Sequence, residues 1–67
     1  MRMLLIKPIK GEDMYVESDY LPKVGEKIII HSVIYLVTFI AWEVARNGCD
    51  EMLKIIPNVH CNILGKA

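Results

Sequence analysis

The chain has 67 residues, of which 54% are hydrophobic, and its eight basic and eight acidic residues leave no formal net charge. This length allows a single domain over residues 1–67, whose core rarely supplies more than about 3–5 kcal/mol of stability. A neutral chain lacks the overall basic field that favours nucleic acid, so that class of partner is disfavoured. The apolar excess in so small a chain instead predicts contact with another protein chain, in a homo-oligomer or with a different protein partner.

The sequence also predicts where the protein resides. Its two cysteines, Cys49 and Cys61, are too few for a disulfide scaffold. The apolar stretch Met3–Ile6 is too short for a signal peptide, and the longest near-apolar run, Val33–Trp42, falls well short of the roughly 20 residues that a spanning helix needs. We therefore expect a cytoplasmic protein with reduced thiols and no membrane contact.

The N-terminal part of the chain predicts one strand and a long polar segment. Residues Arg2–Ile9 are mainly apolar, and Pro8 places the end of this strand near an edge or a bend. Residues Lys10–Glu26 are rich in glycine, proline and charge and are typical of a loop. Within that loop, Met14–Val16 is a candidate for a short irregular strand.

The segment Lys27–Ala45 is dense in the residues that favour a pleated sheet. His31 and Ser32 interrupt it after a four-residue run, which predicts a strand, a tight turn and a second strand. We call these two strands the central hairpin. A continuous helix is disfavoured because the many β-branched residues would lose side-chain rotamer freedom there.

An Asn47-Gly48 pair follows, and this dipeptide is typical of a hairpin turn because it adopts positive φ at little cost. The chain is then expected to return as a strand over Met52–Ile56. The alternative for this region is a short helix near residues 50–56, with Asp50 as its cap.

Pro57 and Asn58 are predicted to end that strand, and Val59–Leu64 forms the last one. The pattern is five short strands with one long polar loop after the first. This pattern predicts an all-β protein that forms a small closed barrel without exposed sheet edges. If residues 50–56 form a helix instead, the fold class is α+β.

Three segments resemble motifs of Src-homology-3 domains. "KVGEKIII" looks like the entry to their second strand, "WEVARNG" resembles a Trp-x-x-Ala-Arg strand and its turn, and "IIPNV" resembles the segment where a short helical turn joins the last two strands. The opening Ala-Leu-Tyr-Asp-Tyr signature and a groove tyrosine are missing. "PKVGEKIIIHSVIYLV" is also similar to small uncharacterised bacterial and phage barrels. The resemblance implies an Src-homology-3-like five-stranded barrel.

By that resemblance, the acidic loop lies where the family's specificity loop lies, and aromatic and acidic side chains there suit a proline-rich peptide with a basic residue. The alternative, which we favour, is a solvated acidic loop that binds no peptide, with Trp42 packed in a dimer interface. The residues of the possible peptide groove are Tyr15, Glu17, Asp19, Tyr20, Trp42 and Pro57.

The sequence gives little indication of metal binding or catalysis. Cys49, His60 and Cys61, with His31, carry zinc-binding atoms, but they lack Cys-x-x-Cys spacing, and adjacent strand residues point to opposite faces. We expect a buried structural Cys61, an exposed His60, and neither a metal nor a cofactor. His31 and Ser32 are neighbours in a tight turn and cannot align as a catalytic pair, and no enzyme motif is present, so we expect no enzyme activity.

The strongest signal is that both faces of the central hairpin are apolar. Simple alternation places Tyr35, Val37 and Phe39 on one face, while a barrel of this size has a single interior. The opposite set would then form an exposed patch that marks an interaction site, unless a bulge or a helix buries part of it. That predicted interface consists of Ile29, Leu36, Ile40 and Trp42.

These observations predict a non-catalytic interaction or assembly module that self-associates, or docks on a protein, through the outer face of the central hairpin. The resemblance suggests a phage or mobile-element origin. The alternative function is a nucleic-acid-binding barrel. It would require five basic residues to gather on one face, namely Arg2, Lys7, Lys10, Arg46 and Lys54.

Overall fold

A computed structural model describes residues 2–46 and 53–67 and shows a single mixed β-sheet. Its strands are β1 (Arg2–Pro8), β2 (Met14–Ser18), β3 (Lys27–Ile30), β4 (Val33–Arg46) and β5 (Leu53–Lys66). The spatial order is β2-β1-β5-β4-β3, with β1 and β5 parallel and every other neighbouring pair antiparallel. The prediction of an all-β, five-stranded protein is confirmed, and the described residues contain no helix.

The sheet is curled into a half-barrel, with β2 and β3 at its two edges. In the described residues β2 and β3 do not pair with each other, so the expected closed barrel is wrong. The half-barrel therefore keeps two exposed edges, which closure would have removed.

Five strands arise by a different division of the chain from the one predicted. The segment Met14–Ser18 is a regular strand that pairs with β1, and β5 continues through Pro57, where a break was expected. Pairing of β1 with β5 begins at Asn58, opposite Leu5, so Pro57 lies just outside that ladder and its missing N–H interrupts nothing there.

The helix alternative near residues 50–56 is wrong for residues 53–56, which belong to β5, and so is the helical turn implied at "IIPNV". The predicted Asn47-Gly48 turn lies outside the described residues. The strands on either side of it pair antiparallel, with Arg46 opposite Leu53.

The predicted turn of the central hairpin is confirmed. Ile30 pairs with Val33, and the two residues between them have positive φ, 49° at His31 and 64° at Ser32. Positive φ at both central residues is the geometry of a type I′ turn, whose twist matches that of the flanking strands. His and Ser adopt this conformation less readily than Asn and Gly.

The loop before β3 is held by a second turn, over residues 23–26. Gly25 has φ of 92°, and the N–H of Glu26 donates to the carbonyl of Lys23 at 3.0 Å. The N–H of Gly25 donates to the carbonyl of Val37, and the N–H of Val37 donates to the carbonyl of Glu26, both at 2.9 Å. The "KVGE" motif thus extends the pairing of β4 by one residue beyond β3.

One face of the sheet, the core face, carries most of the buried side chains. Its most buried members come from β1, β4 and β5, and Met14, Val16, Ile28 and Ile30 pack around them. The core residues are Leu4, Ile6, Tyr35, Val37, Val59 and Cys61. We call the opposite side the outer face.

A β-bulge in β4 changes which side chains reach the core. Val37 lies opposite Cys61 and Phe39 lies opposite His60, so Thr38 is the extra residue. Beyond the bulge the alternation is reversed: Ile40 packs against the core, and Phe39 is on the outer face. The predicted placement of Ile40 on the outer face is therefore wrong, and the alternative of a bulge that buries part of the patch is confirmed.

The fold is elongated, with dimensions of 41 × 20 × 19 Å. The length comes from β4 and β5, which stay paired from Glu43 opposite Ile56 to Arg46 opposite Leu53. We call residues 42–46 and 53–57 the ribbon. Within the described residues no third strand pairs with the ribbon. Those residues also contain no helix that is long and apolar enough to span a membrane.

Candidate interaction surface

Among the side chains that the structure describes, three apolar ones are exposed on the core-face side of the ribbon. Trp42 is 54% exposed, Val44 59% and Ile55 65%. Val44 lies directly opposite Ile55, and Trp42 lies opposite the buried Pro57. Because alternation from Val59 through Pro57 to Ile55 keeps the same face, these three side chains extend the hydrophobic core outward. We call Trp42, Val44 and Ile55 the apolar strip.

Arg2 contacts the base of the apolar strip. Its guanidinium carbon lies 5.9 Å from the centre of the Trp42 ring, which is within the range of a cation–π contact. Such a contact at an exposed site is worth about 0.5–1 kcal/mol. It positions the indole while leaving more than half of its surface accessible.

On the outer face, Glu43 and Asn58 join the two strands of the ribbon at its base. The Nδ2 of Asn58 donates a hydrogen bond to Oε1 of Glu43 at 3.1 Å. Asn58 is only 7% exposed, and its Oδ1 has no hydrogen-bond partner in the described structure. The Oδ1 of Asn62, four residues further along β5 and on the same face, is also buried without a hydrogen-bond partner in the described structure.

The outer face of the central hairpin also exposes apolar groups. The rings of Phe39 and His60 stack with centroids 4.0 Å apart and planes 10° apart, and Phe39 remains 53% exposed. The Oγ1 of Thr38 donates to the carbonyl of His60 at 3.1 Å, which fixes the bulge beside this pair. Ile29 is largely exposed opposite the half-buried Ile34.

The predicted interface is therefore divided between two faces. Ile29 and Leu36 lie on the outer face as expected, with Leu36 half-buried. Ile40 packs against the core, and Trp42 lies on the core-face side of the ribbon. The apolar residues that sequence alternation missed are Phe39, Val44 and Ile55.

The structure does not bring the residues of the predicted peptide groove together. Tyr15 and Glu17 are exposed on the outer face of β2, whereas Trp42 is on the other face of β4, with β1 and β5 between these strands. Pro57 is buried and cannot line an open groove. Asp19 is exposed in the turn after β2.

Tyr20, the remaining groove candidate, is held within its own loop. Its hydroxyl donates to Oε1 of Glu26 at 2.6 Å, and the backbone N–H of Lys23 donates to the same oxygen. Both bonds lower the pKa of the Glu26 carboxyl, the tyrosine bond being the larger cause, and the bond between Tyr20 and Glu26 raises the pKa of the tyrosine hydroxyl. The backbone N–H of Tyr20 also donates to Oγ of Ser18 at 3.0 Å.

The described residues contain no cluster of side chains that could hold a metal ion. Cys61 is fully buried on the core face, as expected, and burial raises the pKa of its thiol, the opposite of what a reactive cysteine requires. His60 lies on the outer face and is partly, not fully, exposed. Cys49 lies outside the described residues.

The two basic residues of β1 do not share a face of the sheet. Alternation along β1 puts Arg2 on the core face with Leu4, and Lys7 on the outer face. Lys7 forms an ion pair with Asp13, with 3.7 Å between Nζ and Oδ2.

The surface also has a shallow open depression of about 460 Å³, which is lined by Ile9, Lys10, Asn62 and Ile63.

Comparisons with models of protein families, with curated proteins and with solved structures find no match to this chain.

Proposed function

We propose that the protein is a non-catalytic assembly module that associates with further copies of itself through the ribbon. The observation that carries this proposal is the exposure of the apolar strip, Trp42, Val44 and Ile55, each more than half accessible on a face continuous with the core. The outer face carries two further exposed apolar side chains, Ile29 on β3 and Phe39 on β4, which add to the apolar surface available to a partner.

The energetics of the ribbon support association. A two-stranded β-ribbon without further packing is at best marginally stable in water. Complete burial of a Val, Ile or similar side chain contributes about 1.5–3 kcal/mol. Covering the strip would therefore add stability comparable with what the small core supplies by itself.

The alternative function, nucleic-acid binding, has less support. Arg2 is committed to Trp42 and Lys7 to Asp13, and these two residues lie on opposite faces of β1. A basic surface would have to form without them. A salt-dependent shift of a DNA or RNA probe would favour this alternative.

The proposal is tested by measuring molar mass with light scattering across a range of concentrations. We expect a species larger than one chain, and we expect Val44→Asp to shift it to the monomer because it places a charge on the strip. Val24→Asp is the matched control, since Val24 is 63% exposed but lies in the turn before β3. A wild-type chain that stays monomeric at the highest concentration contradicts the proposal.

A further inference from the structure

One side of β4 has a long row of unpaired backbone groups. Residues Val33–Leu36 pair with β3 on that side, and Val37 bonds to Gly25 and Glu26. From Thr38 to Arg46, nothing in the described chain pairs with β4 on the side away from β5. An exposed strand edge of nine residues is a template for pairing with another chain.

We propose that two copies pair antiparallel along this free edge, around a two-fold axis at Trp42. This inference rests on the proposed function, because it specifies how the copies associate. Within the described residues the free edge runs from residue 38 to residue 46, and its midpoint is residue 42. A symmetric antiparallel pair that uses all of this described edge therefore has Trp42 opposite Trp42 of the second copy, and the two half-barrels form one continuous ten-stranded sheet.

The side chains in this register are complementary. A two-fold axis perpendicular to the sheet keeps each face of one copy next to the same face of the other, so opposite residues must share a face. Ile40 then lies opposite Val44, and both flank the two Trp42 rings on the core face. On the outer face Ala41 lies opposite Glu43. The register therefore joins the two apolar strips and sets no like charges directly opposite each other.

The neighbouring registers are less favourable. A shift of the axis to Glu43 puts two carboxylates directly opposite each other, which is destabilising. A shift to Ala41 leaves seven paired residues on each free edge instead of nine, because Leu36 and Val37 already bond to residues 26 and 27. Trp42 is thus the centre that combines full edge length with compatible charges.

Disulfide trapping distinguishes the three registers. In a Cys49→Ser background, with Cys61 buried, we would make Ala41→Cys and Glu43→Cys and co-express one with an affinity tag and the other without. Opposite Cα atoms of an antiparallel pair lie about 4.5–5.5 Å apart, within reach of a disulfide. Two copies of the same variant would place their cysteines about 8 Å apart, which is beyond that reach.

We expect the mixed disulfide between the two variants to exceed either self-disulfide several-fold under mild oxidation. Dominant self-linking of Ala41→Cys or of Glu43→Cys would move the axis and overturn the proposed register. If light scattering still shows the oligomer but no pair links, edge pairing is wrong while self-association stands. A monomer removes both proposals.

A second measurement does not depend on these variants. Amide hydrogen exchange of the unmodified protein should slow for the alternate amides of residues 38–46 that point away from β5 as the concentration rises through the association range, since new ladder bonds protect them. The amides of β2, the edge strand at the other end of the sheet, serve as the internal control. Equal exchange in β4 at low and high concentration, with association confirmed by mass, contradicts the edge pairing.

Discussion

Trp42 lies directly opposite Pro57 at the point where the β4–β5 ribbon leaves the rest of the sheet. The two side chains share a face, yet Pro57 is buried and Trp42 is more than half exposed. The boundary between core and accessible apolar surface therefore falls within one cross-strand pair. Trp42 and Pro57 therefore do not form the walls of a groove. Instead, the hydrophobic core continues into a ribbon that the rest of the described chain leaves uncovered.

The bulge at Thr38 makes a prediction about neighbouring residues. Ile40→Ala should lower the free energy of unfolding by about 2–4 kcal/mol because Ile40 packs against the core. Phe39→Ala should cost about 1 kcal/mol, since it removes an exposed ring and its stack on His60. Urea denaturation at a low, monomeric concentration measures both. A larger loss for Phe39→Ala would contradict the reversal of faces.

This bulge marks the limit of prediction from the sequence. Dense β-branched residues and the His31-Ser32 interruption were enough to predict β3, its turn and the start of β4. The face of Ile40 was not predictable, because a period-two pattern cannot locate an inserted residue when both faces are apolar. The position of the bulge at Thr38 depends on the pairing of β4 with β5, a long-range contact.

Pro57 shows the same limit in another form. The local rule that proline ends a strand is correct where the N–H would have joined a ladder. Here the ladder between β1 and β5 begins one residue later, at Asn58, so β5 continues. Because β5 runs through Pro57, Ile55 shares a face with the buried Pro57, and this continuity places Ile55 next to the core.

The hydrogen bond between Asn58 and Glu43 predicts an asymmetric pair of substitutions. Glu43→Ala should destabilise the fold by about 1–3 kcal/mol because it leaves the buried Nδ2 of Asn58 without an acceptor. Asn58→Ala should cost less, since it also removes the unpartnered Oδ1 and leaves Glu43 hydrated. Glu17→Ala, on the exposed outer face of β2, is the control for loss of a carboxylate. Equal losses for the first two variants would exclude this explanation.

The hydrogen bonds that Glu26 accepts in its loop predict that the stability of the fold depends on pH in the acidic range. Because folding lowers the pKa of this carboxyl below its usual value near 4.5, its stabilising contribution is present above that value and is lost as pH falls through the lower folded pKa. Tyr20→Phe removes the larger cause and should move the pKa of Glu26 back toward its ordinary value. Carbon-detected NMR titration measures this shift, with Tyr15→Phe as the matched control. An unchanged titration in Tyr20→Phe would show that the bond does not persist in solution.

The turn between β3 and β4 offers a stabilising change. His31 and Ser32 both occupy the left-handed region, where a residue with a Cβ loses about 1–2 kcal/mol relative to glycine. The double substitution His31→Asn, Ser32→Gly keeps the turn type and should raise the free energy of unfolding by about 1 kcal/mol. Gly25→Ala is the opposite test: Gly25 has φ of 92° and open space around its Cα, so any loss there comes from backbone strain alone. Urea midpoints should move in opposite directions for the two variants, and movement in the same direction would mean that positive φ does not govern these turns.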